Sequence, residues 1–277
     1  MLVIRRTFFR TLCAAAALAA GSVSCSVKEI RDGCPLYVTV LTDRFLRAGL
    51  DDGTLAFDSK ELEKRNDVDF RSVAGTGVVQ ALSREYARVG VVSGAEKERF
   101  TESSLYTPYG HQAGLIWAYG EIFSVNADEY VVDAEPHKQY CLVQFLFDDR
   151  PTAPSDYVWR FRIKADCNGM DLYTLEPQEG AYCCPVGPNA VGEWYGVIPR
   201  QKRSNMILEV FVPNADSETE GPTEYVIDLG KRFEEKGYDW TREDLSDISV
   251  KVGFTSAGIH IEVEDWAGDD SYSHVEI

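Results

Sequence analysis

Cys25 is the residue whose setting prescribes a definite reaction. It follows Gly21, Ser22, Val23 and Ser24, with a small, apolar run from Leu12 to Ala20 before them and Arg5, Arg6 and Arg10 earlier still. No acidic residue interrupts this stretch. A basic start, a short apolar core and small residues at the cut make an export signal, and the core falls well short of the roughly 20 residues a spanning helix needs. Small side chains just ahead of a thiol let a peptidase and an acyltransferase reach it, so residues 1–24 read as a lipoprotein signal peptide and Cys25 as the lipidated residue. Ser22 stands where leucine is usual, and the competing reading is an ordinary secretory signal with a chance cysteine. The pair Arg5-Arg6 also resembles a twin-arginine signal, although it suits a plain basic start equally and that reading is preferred.

The other reactive residue types lack the spacing that catalysis or metal binding requires. His111, His137, His260 and His274 form no HExxH or HxH pattern, and the cysteines form no CxxC pair. There is no GxSxG nucleophile elbow and no phosphate-binding loop, and Gly75-Thr76-Gly77 reads as a turn rather than a dinucleotide fingerprint. Asp51-Asp52-Gly53 and Gly268-Asp269-Asp270 are fragments of calcium loops without the full ligand series. Carboxylate pairs such as Glu220 with Glu224, or Glu262 with Glu264, are expected by chance among 45 acidic residues. The sequence therefore predicts no catalytic residue, no metal, no cofactor and no enzyme. Trp117, Tyr119, Trp194, Tyr195, Trp240 and Trp266 are the rings a sugar could stack against. Trp194 and Tyr195, just past a Gly-Pro loop, are the preferred pair, with Trp117 and Trp159 assigned to the core.

Charge narrows the partners. Removing residues 1–24 takes away three of the 28 basic residues and none of the 45 acidic ones, so the mature chain carries 25 − 45 = −20. Such a surface repels phosphate backbones and anionic headgroups, which excludes nucleic acid and leaves the lipid as the membrane attachment. After Cys25 come Cys34, Cys141, Cys167, Cys183 and Cys184, an odd number that leaves at least one thiol unpaired in an oxidising compartment. Of the neighbours Cys183 and Cys184, one is expected buried and one exposed.

The elements that must carry these residues are strands. Leu36, Val38 and Val40 alternate onto one face, as do Cys141, Val143, Phe145 and Phe147, then Trp159, Phe161 and Ile163. Ile248 to Phe254 and Ile259 to Val263 alternate likewise and, joined by Thr255 to Gly258, predict a hairpin that points His260, Glu262 and Glu264 away from its apolar face. Further strands are predicted at Ala87 to Val92, Gly114 to Phe123, Tyr157 to Lys164 and Met206 to Val212. Two short helices are predicted, at Asp58 to Arg65 with Asp58 as cap, and at Leu229 to Lys236 before Gly237. Loops are expected at Arg150 to Asp156, Pro185 to Gly192 and Pro213 to Pro222. A polar segment from Asp133 to His137 suggests a boundary, giving an all-β chain of two tandem β-sandwich domains, 25–135 and 136–277.

The lipobox cysteine Cys25, the step Cys34-Pro35 into Leu36-Tyr37-Val38-Thr39-Val40, and the segments Asp244 to Val250 and Ile259 to Trp266 together resemble the fimbrillin superfamily of Bacteroidales, in particular the FimB-type minor or anchor subunits of fimbriae. Where that family often ends in Asn-Gly-Trp, this chain has Glu264-Asp265-Trp266. The resemblance implies transthyretin-like sandwiches, a lipid-anchored place on the outer membrane or cell surface, and assembly with other fimbrial subunits by strand exchange. It also implies no functional cleavage at Arg44 or Arg47, since a cut there would sever Cys25 from the rest. The alternative function is a glycan-binding surface lipoprotein.

Overall fold

The computed structural model describes residues 34–124, 127–148, 159–190, 192–214, 221–255 and 258–264. Pro35–Ile277 form one compact unit; of the other, Met1–Cys34, only Cys34 is described. The signal peptide, Cys25, His274 and Trp266 lie outside the described residues, as do the predicted loop at Arg150 to Asp156 and most of the one after Pro213.

The described chain is mostly β, with two short helices. Its first half is built from two sheets. In the smaller, β1 (Leu36–Leu41) lies between β4 (Val78–Leu82), to which it is antiparallel, and β8 (Glu129–Asp133), to which it is parallel. In the larger, β2 (Asp52–Ser59), β3 (Leu62–Asp69), β5 (Ala87–Ser93), β7 (Trp117–Phe123) and β9 (His137–Lys138) run in the order β3-β2-β5-β7-β9. Leu36, Val38 and Val40 from one sheet share a core with Leu55, Phe57, Val89 and Val91 from the other, because alternation places every second side chain between the layers.

The second half is dominated by a nine-stranded sheet, eight of whose strands follow one another as β15-β14-β11-β12-β13-β10-β16-β17. These are β10 (Tyr140–Asp148), β11 (Arg160–Asp171), β12 (Pro177–Pro188), β13 (Trp194–Pro199), β14 (Ile207–Phe211), β15 (Thr223–Asp228), β16 (Ile248–Thr255) and β17 (Gly258–Glu264). All eight contribute to one core, so the sheet curls round it into a nearly closed barrel. Leu229 and Phe233, from helix α2 (Leu229–Glu235), pack into the same core. The helix starts where Asp228 accepts the Lys231 N–H at 2.8 Å, and it stops before Gly237 at φ 76°, the stop that the sequence predicts.

The halves are joined through backbone. Strand β6 (Ser104–Tyr106) pairs with the far end of β11, and the turn that follows β11 lies on β5 and β7 at the paired glycines Gly90 and Gly120. A Cβ on Gly90 would collide with the Leu172 carbonyl oxygen, and one on Gly120 with that of Tyr173. Gly90→Ala is therefore expected to cost about 1–3 kcal/mol in thermal unfolding. Gly187→Ala, with open space around its Cβ, should stay within about 0.5 kcal/mol.

Three expectations are corrected. Asp58 to Arg65 is no helix: Ser59 pairs with Leu62 to close the β2–β3 hairpin. A two-turn helix scarcely nucleates, whereas β2 gains ladders on both sides and buries Leu55 and Phe57. Asp58 is used as a cross-strand partner of Arg88 rather than as a cap. The first half of the loop predicted from Pro185 is strand, because β12 runs to Pro188 and pairs there with β13, and the Asn189 N–H donates to the Glu193 carbonyl at 2.7 Å. Cys183 and Cys184 are both buried, since the sheet is covered on both faces: Cys184 points into the barrel core and Cys183 lies beneath the 107–112 loop. Cys141, Cys167, Cys183 and Cys184 are free thiols, and burial pushes those of Cys141 and Cys184 up to about 12, which makes them inert.

Candidate functional site

Strand β1 is the central strand of the smaller sheet, and its surroundings explain how it is held. Leu36, Val38 and Val40 are 0% exposed, while Tyr37 and Thr39 face outward. Thr39 lies opposite Val79 on one side and Val131 on the other, so Tyr37, Val79 and Val131, each about half exposed, form an apolar outer face on this sheet.

Both ends of β1 are clamped. At the start, the Tyr37 N–H donates to the Asp128 carbonyl at 2.9 Å, and Arg84 reaches the Pro35 carbonyl while pairing with Asp128. At the end, the Ala134 N–H donates to the Leu41 carbonyl at 3.1 Å. Helix α1 (Asp43–Arg47) follows at once. There Asp43 accepts the Gly75 N–H at 2.9 Å, and Arg44 pairs with Asp133 at 2.9 Å and with Glu135. Phe45, between the two arginines, is fully buried and meets the edge of Phe70 at 5.3 Å. Removing β1 would leave β4 and β8 as unpaired edges over an apolar trough lined by Leu55, Phe57, Val89 and Val91, which is the geometry that accepts an added strand.

The predicted aromatic site residues are placed differently from one another. Trp194 and Tyr195 are neighbours on β13 and turn to opposite faces, so they do not form one platform. Trp194 packs on the barrel core, with its ring edge-to-face against Phe147 at 5.5 Å and Phe161 at 6.2 Å. Tyr195 packs beside Ala113, Tyr140 and Val197. Trp117 meets Tyr140, Trp240 meets Tyr238, and Trp159 donates to Glu224 at 3.1 Å. The Tyr119 and Tyr130 hydroxyls both donate to Glu121 at 2.8 Å. His260, Glu262 and Glu264 are exposed together on one face of β17, as alternation predicts. Among the described residues no group of three or more His, Cys, Asp or Glu is arranged to hold a metal, and no helix is long and apolar enough to cross a membrane. The partners that seat β1, namely β4, β8, Arg84 and Asp128, were invisible to pattern reading because they lie far along the chain.

The sequence matches no protein-family model and no curated protein. Similarity lies in the fold. A candidate adhesin from Bacteroides ovatus superposes with a TM-score of 0.53 at 12% identity, covering 86% of this chain and 96% of that one. Candidate polysaccharide-binding proteins from Bacteroides thetaiotaomicron give 0.51 at 11% identity, covering 84% and 96%. The fimbrial anchor protein Mfa2 from Porphyromonas gingivalis gives 0.51 at 10% identity, again over 84% and 96%. Over most of its length the chain thus has the fold of candidate adhesins and a fimbrial anchor protein of Bacteroidales, in agreement with the resemblance carried by its own motifs.

Proposed function

We propose that the chain is a lipid-anchored surface subunit of the fimbrial or adhesin type, which works by assembling with other subunits and performs no reaction of its own. The observation that carries this is β1, a central strand with three sealed inward residues and a clamp at each end. A strand so held is the filled state of a strand-exchange slot. Cutting after Arg44 or Arg47 would separate it, and the lipid on Cys25, from everything that follows. Both arginines lie in α1, wound round the buried Phe45. The slot therefore keeps its own strand, which suits a subunit that ends or anchors a polymer rather than one that extends it. Strand exchange with neighbours then uses another sheet edge, such as β15 or β17 at the ends of the long sheet.

We read the two halves as transthyretin-like sandwich domains, 25–135 and 136–277, a reading supported by their separate main cores. The fold shared with a fimbrial anchor protein supports the role, while the fold shared with candidate polysaccharide-binding proteins keeps a glycan-binding surface lipoprotein as the second reading. Expression in a fimbriated host tests the proposal. Cys25→Ala should move the protein from the membrane fraction to the soluble fraction, and protein recovered with polymerised subunits should retain β1. A surface form that begins just after Arg44 or Arg47 would overturn it.

A further inference from the structure

Strand β9 is two residues long, His137 and Lys138, and both meet the turn that precedes β16. The Lys138 N–H donates to Asp244 Oδ1 at 2.7 Å, and the Lys138 ammonium pairs with Asp247 at 2.6 Å. Asp247 also accepts the Leu142 N–H at 2.8 Å, where β10 has begun. The His137 ring lies beside these contacts, with Nδ1 3.6 Å from Oδ2 of Asp244. That nitrogen is shielded from water and has no hydrogen-bond partner within normal reach among the described residues. It is a buried polar atom facing a carboxylate, and such an atom costs free energy unless a hydrogen or a charge answers it.

The charges round this ring come from four elements. Asp244 and Glu243 belong to the turn, and Glu135 lies two residues ahead of the ring, held by Arg44 from α1. Lys138 is taken up by Asp247. Arg200, after β13, directs its donors at the Gln139 side chain and at carbonyls, among them those of Trp240, Arg242 and Glu243. Strand β7 adds no charge where it meets the ring, since Ala118 stands opposite His137. The carboxylates prevail: Asp244, the nearest acceptor, pushes the imidazole above its ordinary 6.5, against burial and with help from Glu243 and Glu135. Burial likewise pushes the Asp244 carboxyl up, but His137, the Lys138 N–H and the Arg200 charge outweigh it and hold the group below the usual carboxylate range.

We infer that His137 and Asp244 form a pH-dependent clasp, which fastens the β9–β10 connection to the turn ahead of β16 in acid and slackens it in alkali. An imidazole is the side chain that ordinarily changes charge between about pH 5 and 8. When protonated, the ring turns both a hydrogen and a charge toward Asp244. The neutral ring offers at best the hydrogen, and its other tautomer sets a lone pair against the carboxylate. With its folded value raised, His137 adds stability that is complete below 6.5 and is lost as pH rises through that folded value. Asp244, with its folded value lowered, adds stability that is complete above 3.8 and is lost as pH falls through that value. The clasp is therefore tightest between the two. Strand β9 pairs with β7 through Trp117 and Ala118, a ladder so short that side-chain contacts of this kind carry much of its attachment. Lys138 and Arg200 keep their own contacts with the turn, so the response is a change in stability and not unfolding. This inference goes beyond the assembly role and does not depend on it.

Thermal unfolding of the full-length chain in detergent across this pH range, together with NMR titration of its histidine rings, tests the clasp. His137→Gln should lower the thermal midpoint by about 2–4 °C near pH 5.5 and by under about 1 °C near pH 8.5. Asp244→Asn keeps an acceptor for the Lys138 N–H, and it should remove most of the further loss that His137→Gln causes near pH 5.5. The His137 resonance, identified by its absence from His137→Gln, should titrate above 6.5 in the parent and at lower pH in Asp244→Asn. A loss of the same size at both pH values would overturn the inference in favour of packing alone. So would the absence of any loss near pH 5.5, a His137 titration at or below 6.5, or one that Asp244→Asn leaves unchanged.

Discussion

Arg200→Met is expected to lower the unfolding free energy by about 3–5 kcal/mol, the scale seen when one partner of a buried charged contact is removed. Arg200 follows β13 and is 8% exposed. Its guanidinium donates to Gln139 Oε1 at 2.8 Å and to the carbonyls of Trp240, Arg242 and Glu243 at 2.7, 2.6 and 2.7 Å, with Lys138 at 3.3 Å. No carboxylate pairs with it among the described residues, and burial, the largest influence, lowers its pKa. A single side chain thus holds the β9–β10 connection to the turn ahead of β16. Methionine fills similar space but leaves those acceptors without a donor, and an unsatisfied buried acceptor costs about 1–3 kcal/mol. The guanidinium's own desolvation cost, which disappears in the variant, and relaxation of the turn keep the total below the sum. Arg200→Lys should recover less than half, because three donors on one nitrogen do not span this fan of acceptors. Urea unfolding measures the effect. A loss under about 1 kcal/mol would mean that water reaches these carbonyls.

Val38→Asp should be at least as damaging, at about 5 kcal/mol, because it forces a carboxylate between two sheets where Val38 is 0% exposed. Tyr37→Asp, one residue away on the outer face, should cost within about 1 kcal/mol. Equal costs would show that β1 does not sit in the register Val38 opposite Gln80 and Tyr130. The pair also bears on function. If the Val38→Asp protein releases β1, a peptide of the unaltered Leu36–Leu41 sequence should bind it and restore its thermal midpoint, as a strand-accepting slot requires. A peptide without effect would indicate general unfolding rather than an opened slot.

Much of the fold could be read locally. Strand β1, the strand from Tyr140, and the β16–β17 hairpin each bury one face, so period-two alternation marked them directly. Helix α2 carried its own stop signal in Gly237. The failures share one cause. Asp58 to Arg65 has a cap residue and Glu61 three positions on, yet tertiary pairing with β5 on one side outweighed that weak preference. One of Cys183 and Cys184 was expected to be exposed because alternation knows nothing of a loop arriving from the other half of the chain to cover Cys183.

The same division holds for the sites. The sequence by itself determined the strongly acidic character and raised the expectation of an export signal and a lipidated thiol, since each depends only on residue types in a row or on their count. Where Trp194 and Tyr195 point, and how β1 is clamped by Arg84, Asp128, Asp133 and Glu135, were decided by tertiary structure alone. These contacts join residues far apart in the chain, and they form only because the sheets bury enough apolar surface to hold such segments together.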